Sequence, residues 1–235
     1  MRLDEAVSKK FNLSRNKAKE LIKNEKVKVN QKIITKPSFK VEDEEISLLE
    51  GKVYVSRAAL KLKSYLQKYN ISLKDKLLLD VGSSTGGFSE VALEGGARVV
   101  AVDVGFEQMH KKLRDKVELF ENMDIRDFSY PKKFDVIVSD VSFISLLKIL
   151  KKIDSLIEKG DIILLFKPQF EVGKDAKRDK RGVVVDKEAI KMAKERFEKE
   201  AENFGWRLIR SEEASVRGKE GNVEFIYHFV KGKND

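Results

Sequence analysis

Apolar and polar residues follow one another along this chain in two different rhythms, which change near residue 56. Before that point, apolar side chains at helical spacing around Leu3 and around Leu21 predict two short amphipathic helices. Three short strand-like segments follow, at residues 27–30, 32–34 and 46–49. The pattern predicts a small α+β domain over residues 1–50, followed by a linker at residues 51–56.

Over residues 57–235, apolar runs of strand length alternate with helical patterns. Strands are predicted at residues 77–81, 99–103, 117–120, 134–139, 161–166, 206–209 and 223–230. Long helical patterns lie at residues 59–66, 144–157 and 187–203. Strands separated by helices imply an α/β fold with a doubly wound, mostly parallel, Rossmann-like sheet. Because only a loop joins the last two strands, we expect them to form an antiparallel hairpin at one edge.

A glycine-rich turn follows the strand at residues 77–81 and leads into a helical pattern. Glycines let a backbone approach a ligand closely, and the first N–H groups of the next helix point into such a site. The spacing Asp-x-Gly-x-x-x-Gly-Gly-Phe differs from the Gly-x-Gly-x-x-Gly of dinucleotide sites. It resembles the opening motif of S-adenosylmethionine (AdoMet) methyltransferases. The cofactor-binding residues predicted at this turn are Asp80, Gly82, Ser83, Ser84, Thr85, Gly86, Gly87 and Phe88.

Two acidic residues at later strand ends are further candidates for binding the cofactor. Asp103 ends an apolar strand 21 residues beyond Gly82, where dinucleotide-type sites carry a carboxylate that accepts ribose hydroxyls. The alternative for Asp103 is a loop cap. Asp124 follows the next strand and is placed to accept from an adenine amino group, with a turn residue as the alternative.

The charge of the chain points to an anionic partner. The formal net charge is +9, and residues 1–41 hold twelve Lys and Arg against four Asp and Glu. Nucleic acid fits this basic end better than a membrane surface, while a solvated, thermophile-like ionic surface is the alternative. The absence of cysteine excludes disulfides and thiol catalysis. Without an apolar signal segment or membrane span, a cytoplasmic location is expected.

Four short segments form an ordered set around the glycine turn: Ser56–Leu62, Ser139-Asp140, Lys167-Pro168 and Gly221–Phe225. The set resembles the FtsJ-like ribose 2′-O-methyltransferases, whose hallmark is a Lys-Asp-Lys-Glu tetrad. The resemblance implies a catalytic tetrad of Lys61, Asp140, Lys167 and Glu224, with Asp140 also near the cofactor. Phe166–Gly173 and Gly182–Asp186 look like the TlyA branch of rRNA methyltransferases. The resemblance therefore implies AdoMet as cofactor and ribosomal RNA or ribosomal subunits as partner, with cytidine as the target base.

The first residues resemble the RNA-binding domain named after ribosomal protein S-four. The segments that carry this resemblance are Arg2-Leu3-Asp4, Ser14-Arg15 and Val27-x-Val29-Asn30. Glu25 and Gln31 stand where that family usually has glycine, and we expect Asn24 to adopt the positive-φ turn conformation instead. The resemblance implies RNA phosphate contacts from Arg2, Arg15, Lys17, Lys19 and Lys23. Arg57, in the segment Ser56–Leu62, is a further predicted RNA-binding residue.

The chemistry implied by the tetrad is an in-line displacement at a sulfonium methyl group. A lysine can remove the proton of a ribose hydroxyl when burial and neighbouring cations lower its pKa. By resemblance, Lys167 orients and deprotonates the hydroxyl, Lys61 supplies a second cation, and the two carboxylates orient the lysines. The alternatives are a surface position for the lysines and a strand-end cap for Asp140. Glu224 is the best single clue, because a carboxylate inside an apolar strand needs a partner or a water-exposed face.

The sequence also allows other interpretations of one loop and of the function. The basic loop Lys174–Arg181 either clamps RNA or is a solvated loop. A non-catalytic RNA-binding or ribosome assembly factor would need neither the cofactor motif nor the tetrad. A cytolysin lacks support from any membrane or pore segment, and a dehydrogenase is disfavoured by the glycine spacing. No metal site is predicted. The sequence therefore favours an AdoMet-dependent rRNA 2′-O-methyltransferase.

Overall fold

The computed structural model describes residues 1–49, 54–218 and 220–232. Its internal contacts divide the chain into two compact units, Met1–Arg57 and Ala58–Asp235. Each unit has a hydrophobic cluster of its own. The predicted linker at 51–56 lies partly outside the described residues, so the boundaries 1–50, 51–56 and 57–235 remain a prediction.

The N-terminal unit has the predicted α+β composition. Its elements are α1 (Leu3–Lys10), α2 (Arg15–Lys23), β1 (Val27–Val29), β2 (Lys32–Ile33) and β3 (Ile46–Leu48). The three strands form an antiparallel sheet with β1 in the middle. Ser14 caps α2, since its hydroxyl accepts from the backbone N–H of Lys17, and Leu3 and Ile22 are fully buried in the unit's core. The helical spacing therefore identified the buried faces correctly.

The turns of this unit are built differently from the expectation. Asn24 has a φ of −88°, whereas Glu25 itself has a φ of 60°. The two-residue turn between β1 and β2 places Asn30 and Gln31 at φ values of 46° and 66°. Two successive positive φ values match a type I′ hairpin, whose second position favours glycine. The prediction for Asn24 was wrong because the fold imposes the left-handed conformation on Glu25 and Gln31 despite their Cβ atoms.

The second unit alternates strands and helices. Its strands are β4 (Leu77–Val81), β5 (Arg98–Val102), β6 (Glu118–Phe120), β7 (Val136–Ser139), β8 (Gly160–Phe166), β9 (Arg207–Glu213) and β10 (Phe225–Lys231). Its helices are α3 (Ala58–Lys68), α4 (Gly87–Glu94), α5 (Lys111–Arg114), α6 (Leu150–Leu156), α7 (Pro168–Glu171) and α8 (Lys187–Asn203). A 3₁₀ turn covers Leu146–Lys148.

These strands form one seven-stranded sheet in the order β6-β5-β4-β7-β8-β10-β9. The first five are parallel, and β10 pairs antiparallel with both β8 and β9. The predicted α/β fold and its antiparallel edge hairpin are therefore confirmed. The carboxyl ends of the parallel strands meet at one edge, which is where open α/β sheets bind ligands.

Two local predictions in this unit were wrong. The helix predicted over 144–157 is divided, because Ser145 caps the 3₁₀ turn at Leu146 and α6 starts only at Leu150. Glu224 was expected inside an apolar strand, but β10 begins one residue later. Glu224 thus lies at the end of the loop that enters β10, at the carboxyl end of its neighbour β8.

Candidate active site

The glycine turn after β4 has almost no room for side chains. Gly82 and Gly86 have φ values of 76° and 93°, a conformation that favours glycine. A Cβ at Gly82 would lie 2.8 Å from Cγ1 and 3.1 Å from Cα of Val141. A Cβ at Gly86 would lie 2.4 Å from Sδ of Met109. Glycine is therefore required at Gly82 both by backbone conformation and by the close approach of the Val141 backbone, and at Gly86 chiefly by backbone conformation, since the nearest atoms are ends of flexible side chains.

A cavity of about 490 Å³ opens at the carboxyl edge of the sheet. The turn after β4 and the loops after β5 and β7 line it, with Gly82, Asp103 and Asp140 among the polar contributors. Met123 and Ile125 add apolar wall. A glycine turn, an apolar wall and several carboxylates suit a nucleoside with hydroxyl groups and a cationic tail, which is the chemistry of AdoMet.

Asp103 is both a loop cap and part of the cavity wall. Its two carboxylate oxygens accept from the backbone N–H groups of Ser84 and Gly105, each at 2.7 Å. A carboxylate has about four lone-pair positions, so two of them stay available for hydroxyl donors. The two readings of Asp103 are compatible, and its ligand role remains a prediction.

Asp124 likewise lines the cavity while holding a turn. It accepts from the backbone N–H of Arg126 at 2.9 Å and from the guanidinium at 3.0 and 2.6 Å. These hydrogen bonds lower the pKa of Asp124. The arrangement favours the turn reading, although the carboxylate still borders the cavity.

Asp80 lies below the turn and is fully buried. Ser89 donates to its Oδ2 at 2.6 Å. Burial raises the pKa of Asp80 to about 7, with a smaller contribution from the nearby negative charges of Asp140 and Asp103. Several other predicted cofactor residues also lie away from the cavity wall, namely Ser83, Thr85, Gly86, Gly87 and Phe88. They shape the turn, and a direct contact from any of them remains a prediction.

Lys167 is held at the cavity by residues of the loop after β7. It directly follows β8 and precedes Pro168, the first residue of α7. Its Nζ lies 2.6 Å from Oδ1 of Asp140 and donates to Oγ of Ser142 at 2.8 Å. Only 7% of Lys167 is exposed. Because Asp140 and Ser142 line the cavity, they hold a buried ammonium group at its wall.

Lys61 and Glu224 form a second buried ion pair. Nζ of Lys61, on α3, donates to Oε2 of Glu224 at 2.6 Å, and both residues are less than a tenth exposed. The other oxygen of Glu224 accepts from Nε2 of Gln169 at 3.3 Å. Gln169 is two residues beyond Lys167, so one short segment joins the two ion pairs. The four residues of the predicted tetrad thus occur as two connected pairs.

Buried ion pairs contribute little net stability, because desolvation offsets the attraction, whereas an unpartnered buried charge is costly. Two such pairs at the ligand-binding edge of a sheet are therefore better explained by chemistry than by stability. The pairs place a cation, a carboxylate and a hydroxyl beside the cavity. That arrangement can hold a ribose hydroxyl and accept its proton.

Sequence reasoning missed several residues of this site. Ser142 and Gln169 contact the tetrad directly. Phe143 is 91% exposed, has a φ of 66° and packs its ring 5.2 Å from that of Phe170. Gln169 and Phe170 lie within the family-like segment Phe166–Gly173, whereas Ser142 and Phe143 had only their nearness to Asp140 along the chain as a signal. An exposed aromatic ring beside a nucleic-acid site is suited to stacking on a base.

In the N-terminal unit, the carboxylate of Asp4 lies close to three of the predicted RNA-binding cations. Asp4 is fully buried and accepts from Nε of Arg2 at 3.0 Å and from Nε of Arg15 at 3.1 Å, while Nζ of Lys19 lies 4.0 Å away. Hydrogen bonds from Arg2 and then Arg15 lower the pKa of Asp4 to about 2. Asp4 therefore fixes a cationic cluster, a role that the sequence analysis did not assign.

The other predicted RNA-binding cations lie outside that cluster. Lys17 pairs with Glu20 at 2.9 Å, and Arg57 lies 3.2 Å from Glu25. Lys23 is exposed. Ion pairs at exposed positions are weak, so these side chains can exchange a carboxylate for a phosphate.

Comparison with protein families matches both units. Residues 54–231 match the FtsJ-like methyltransferase family, and residues 1–46 match the S4 domain, which is the predicted S-four-type domain. The chain belongs to the FtsJ-like methyltransferase family and carries an S4 domain ahead of the methyltransferase part. The cofactor of this class is AdoMet.

Individual relatives narrow the class further. The 23S rRNA (cytidine-2′-O)-methyltransferase TlyA of Campylobacter jejuni is 48% identical over 254 aligned positions, covering 98% of this chain and all 100% of the relative. A hemolysin-named protein from Streptococcus thermophilus has a solved structure that matches with a TM-score of 0.74 and 33% identity, covering 98% of this chain and 88% of that one. The predicted TlyA resemblance is confirmed.

The fold also occurs with a bound cofactor. Magnesium protoporphyrin IX methyltransferase from Synechocystis, solved with bound AdoMet, matches with a TM-score of 0.51 and 18% identity. The match covers 75% of this chain and 79% of that structure. At this identity the likeness supports the sheet architecture alone.

Proposed function

We propose that this protein transfers the methyl group of AdoMet to the 2′-hydroxyl of a ribose in ribosomal RNA, with cytidine as the target base. The observation that carries the proposal is the two buried ion pairs, Lys167–Asp140, whose carboxylate lines the cavity, and Lys61–Glu224, which Gln169 connects to it. The base identity is supported by the name of the Campylobacter jejuni relative. A cytoplasmic location belongs to the same proposal, since ribosomal RNA is the substrate.

The residues of the cavity would hold the cofactor in three ways. The turn at Gly82 allows close backbone approach, Asp103 offers acceptors to the ribose hydroxyls, and Met123 and Ile125 border the base. Bound AdoMet supplies an electrophilic methyl group on a sulfonium. The protein's task is to align the attacking hydroxyl with that methyl group and to hold it there.

Lys167 is the residue that acts on the hydroxyl. Its Nζ is fixed by Asp140 and Ser142, so it reaches the reacting oxygen from a defined direction. In its neutral amine form Lys167 accepts a hydrogen bond from the hydroxyl and takes its proton, while the oxygen forms its bond to the methyl carbon and the bond from that carbon to the sulfonium sulfur breaks. Lys61, held by Glu224, is the second cation of the proposed tetrad.

The experiment is methyl transfer from labelled AdoMet to ribosomal subunits and to free rRNA. Lys167→Ala is expected to lower kcat by a factor of about 10²–10⁴, the usual contribution of a general base, while AdoMet affinity is retained. Lys74→Ala is the matched control, since Lys74 is exposed just before β4 at the opposite edge of the sheet. Full activity of Lys167→Ala would remove its assigned role, and lack of transfer by the wild-type protein to every rRNA would contradict the function.

Two alternatives make different predictions. An assembly factor without catalysis would bind rRNA but leave labelled AdoMet unused. A cytolysin would release dye from liposomes as the purified protein. Within the described residues, no helix is long and apolar enough to cross a membrane.

A further inference from the structure

The loop that connects α7 to α8 contains a basic hairpin, here defined as residues 177–185. Arg178 and Val184 form an antiparallel bridge. The backbone N–H of Val185 donates to the carbonyl of Lys177 at 3.0 Å, and that of Asp179 donates to Val183 at 2.8 Å. The sequence left open whether this basic loop is merely solvated. Its internal hydrogen bonds show an ordered hairpin.

Two carboxylates, Asp179 in the basic hairpin and Asp186 directly after it, accept from its backbone, and Asp179 also accepts from the guanidinium of Arg181. Oδ1 of Asp179 accepts from the N–H groups of Arg181 and Val183 at 2.8 and 2.9 Å. Asp186 caps α8 and accepts from the N–H of Lys177. Among the described residues, no carboxylate lies within 4.0 Å of the ammonium groups of Lys177 and Lys180, which are both exposed. The hairpin thus presents cations outward while its carboxylates are engaged in turns.

Hydrogen bonds connect the basic hairpin at two points to residues that lie beside or contact Glu224 of the tetrad. On one side, Oδ1 of the buried Asn222 accepts from the N–H of Val184 at 3.0 Å, and Asn222 lies two residues before Glu224. On the other side, Nη2 of Arg178 donates to the carbonyl of Gln169 at 3.2 Å, and the side chain of Gln169 donates to Glu224. Both attachments lead to the carboxylate that pairs with Lys61.

We infer that the basic hairpin binds the phosphate backbone of the RNA next to the target nucleotide, through Lys177 and Lys180. This inference rests on the proposed function for the identity of the RNA. Phosphate contacts position a nucleic acid without reading its sequence. Two cations on an ordered hairpin that is hydrogen-bonded beside the tetrad would hold the flanking backbone, and thereby the ribose, near Lys167. The S4 domain then need not supply this positioning.

The first test is neutralisation of the two lysines in the full-length protein. Lys177→Gln/Lys180→Gln is expected to bind an rRNA fragment about tenfold more weakly at physiological salt, and to reduce the slope of log Kd against log salt by about 1.4–1.8. The KM for RNA is expected to rise and kcat to fall, because the ribose is held less well against Lys167, whereas AdoMet affinity stays unchanged. Lys74→Gln/Lys76→Gln removes the same charge from exposed positions before β4 and is expected to have a much smaller effect.

The second test uses the absence of cysteine from the chain. Lys180→Cys can be labelled uniquely with a chelated iron that cleaves nearby RNA, with Lys74→Cys as the control. Cleavage from position 180 is expected to cluster around the methylated nucleotide, and cleavage from position 74 is not. Equal patterns from the two positions would overturn the inference.

The two proposals fail in different ways. If the wild-type protein methylates rRNA and the Lys177→Gln/Lys180→Gln variant matches it in RNA affinity, salt slope and KM, the inference alone is wrong. If the wild-type protein methylates no rRNA but neutralisation still weakens RNA binding, the proposed reaction is wrong and the hairpin remains an RNA-binding surface.

Discussion

Asp80 makes the stability of the methyltransferase unit depend on pH in a way that a single substitution can reveal. The residue is fully buried in β4, and the hydroxyl of Ser89 is its hydrogen-bond donor. Burial raises the pKa of its carboxyl to about 7, from 3.8 for an ordinary aspartate. Asp80→Asn removes the titration while keeping an oxygen that accepts from Ser89.

The direction in which stability changes with pH is set by how many protons the folded and unfolded states bind. Between pH 3.8 and about 7, the folded protein keeps the proton of Asp80, while the unfolded chain releases it. The folded state then binds more protons, so its stability falls as the pH rises. At about 1.4 kcal/mol per pH unit, the full loss over this interval is ~4 kcal/mol. Above pH 7 the loss is complete and constant.

The assay is urea unfolding of wild type and Asp80→Asn between pH 4 and pH 8. Trp206 is the only tryptophan and is 3% exposed within the second unit, so its fluorescence reports that unit. Glu171, another buried acid with a raised pKa, titrates in both proteins and cancels in the difference. As the pH rises from 4 to 8, the free energy of unfolding of the variant is expected to increase relative to that of the wild type by ~2–4 kcal/mol.

The way in which the stability difference between wild type and Asp80→Asn changes with pH tests whether Asp80 is protonated in the folded state. A difference that stays constant with pH, or one in which the wild type gains as the pH rises, contradicts a protonated Asp80 in the folded state. Ser89→Ala is a useful companion variant, because removing the donor to the ionised form is expected to raise the pKa of Asp80 further and so to extend the fall in stability to higher pH.

Three further predictions concern other parts of the molecule. Gln31→Gly creates the Asn-Gly sequence that type I′ turns prefer and is expected to stabilise the N-terminal unit by ~0.5–1 kcal/mol, measured by hydrogen exchange; an equal gain from Gln31→Ala would refute the role of φ. Asp4→Asn is expected to weaken RNA binding and to destabilise the N-terminal unit by ~1–2 kcal/mol at pH 7. Because the pKa of Asp4 is lowered to about 2, its contribution is present above pH 3.8 and lost as the pH falls through 2, so a destabilisation that persists at pH 1.5 would contradict it. Phe143→Ala is expected to lower kcat/KM for RNA about tenfold at saturating AdoMet through lost base stacking, with recovery in Phe143→Tyr but not in Phe143→Leu; recovery by leucine would indicate packing instead.

Much of the second unit could be predicted from the sequence because local signals agree there. The bounds of β4 and α8 match the predicted ranges residue for residue. The strand is a continuous apolar run, and the helix has a capping Asp186 whose side chain accepts from the N–H of Ala189. Where the apolar pattern and a capping residue indicate the same boundary, contacts with the rest of the fold leave that boundary unchanged.

Other features depend on contacts between distant parts of the chain and carry no local signal. Lys61 and Glu224 are 163 positions apart, so their pairing was predicted from family resemblance and not from spacing. The positive φ values of Gln31 and Phe143 oppose residue preference and exist because surrounding structure imposes them. The basic hairpin was ambiguous for the same reason, since its attachment through Asn222 appears only in the folded chain.

The short segment after β8 contacts both ion pairs and the loop after β7. Pro168 cannot extend the strand ladder and has a φ suited to the start of a helix, so α7 begins directly after Lys167. That single turn of helix sends three side chains to three places: Lys167 to the loop after β7, Gln169 to Glu224, and Glu171 to Ser145 and Leu146. The third contact anchors the loop that carries Asp140, Ser142 and Phe143. Because all three contacts depend on the same backbone turn, the two ion pairs and the exposed ring of Phe143 are positioned together.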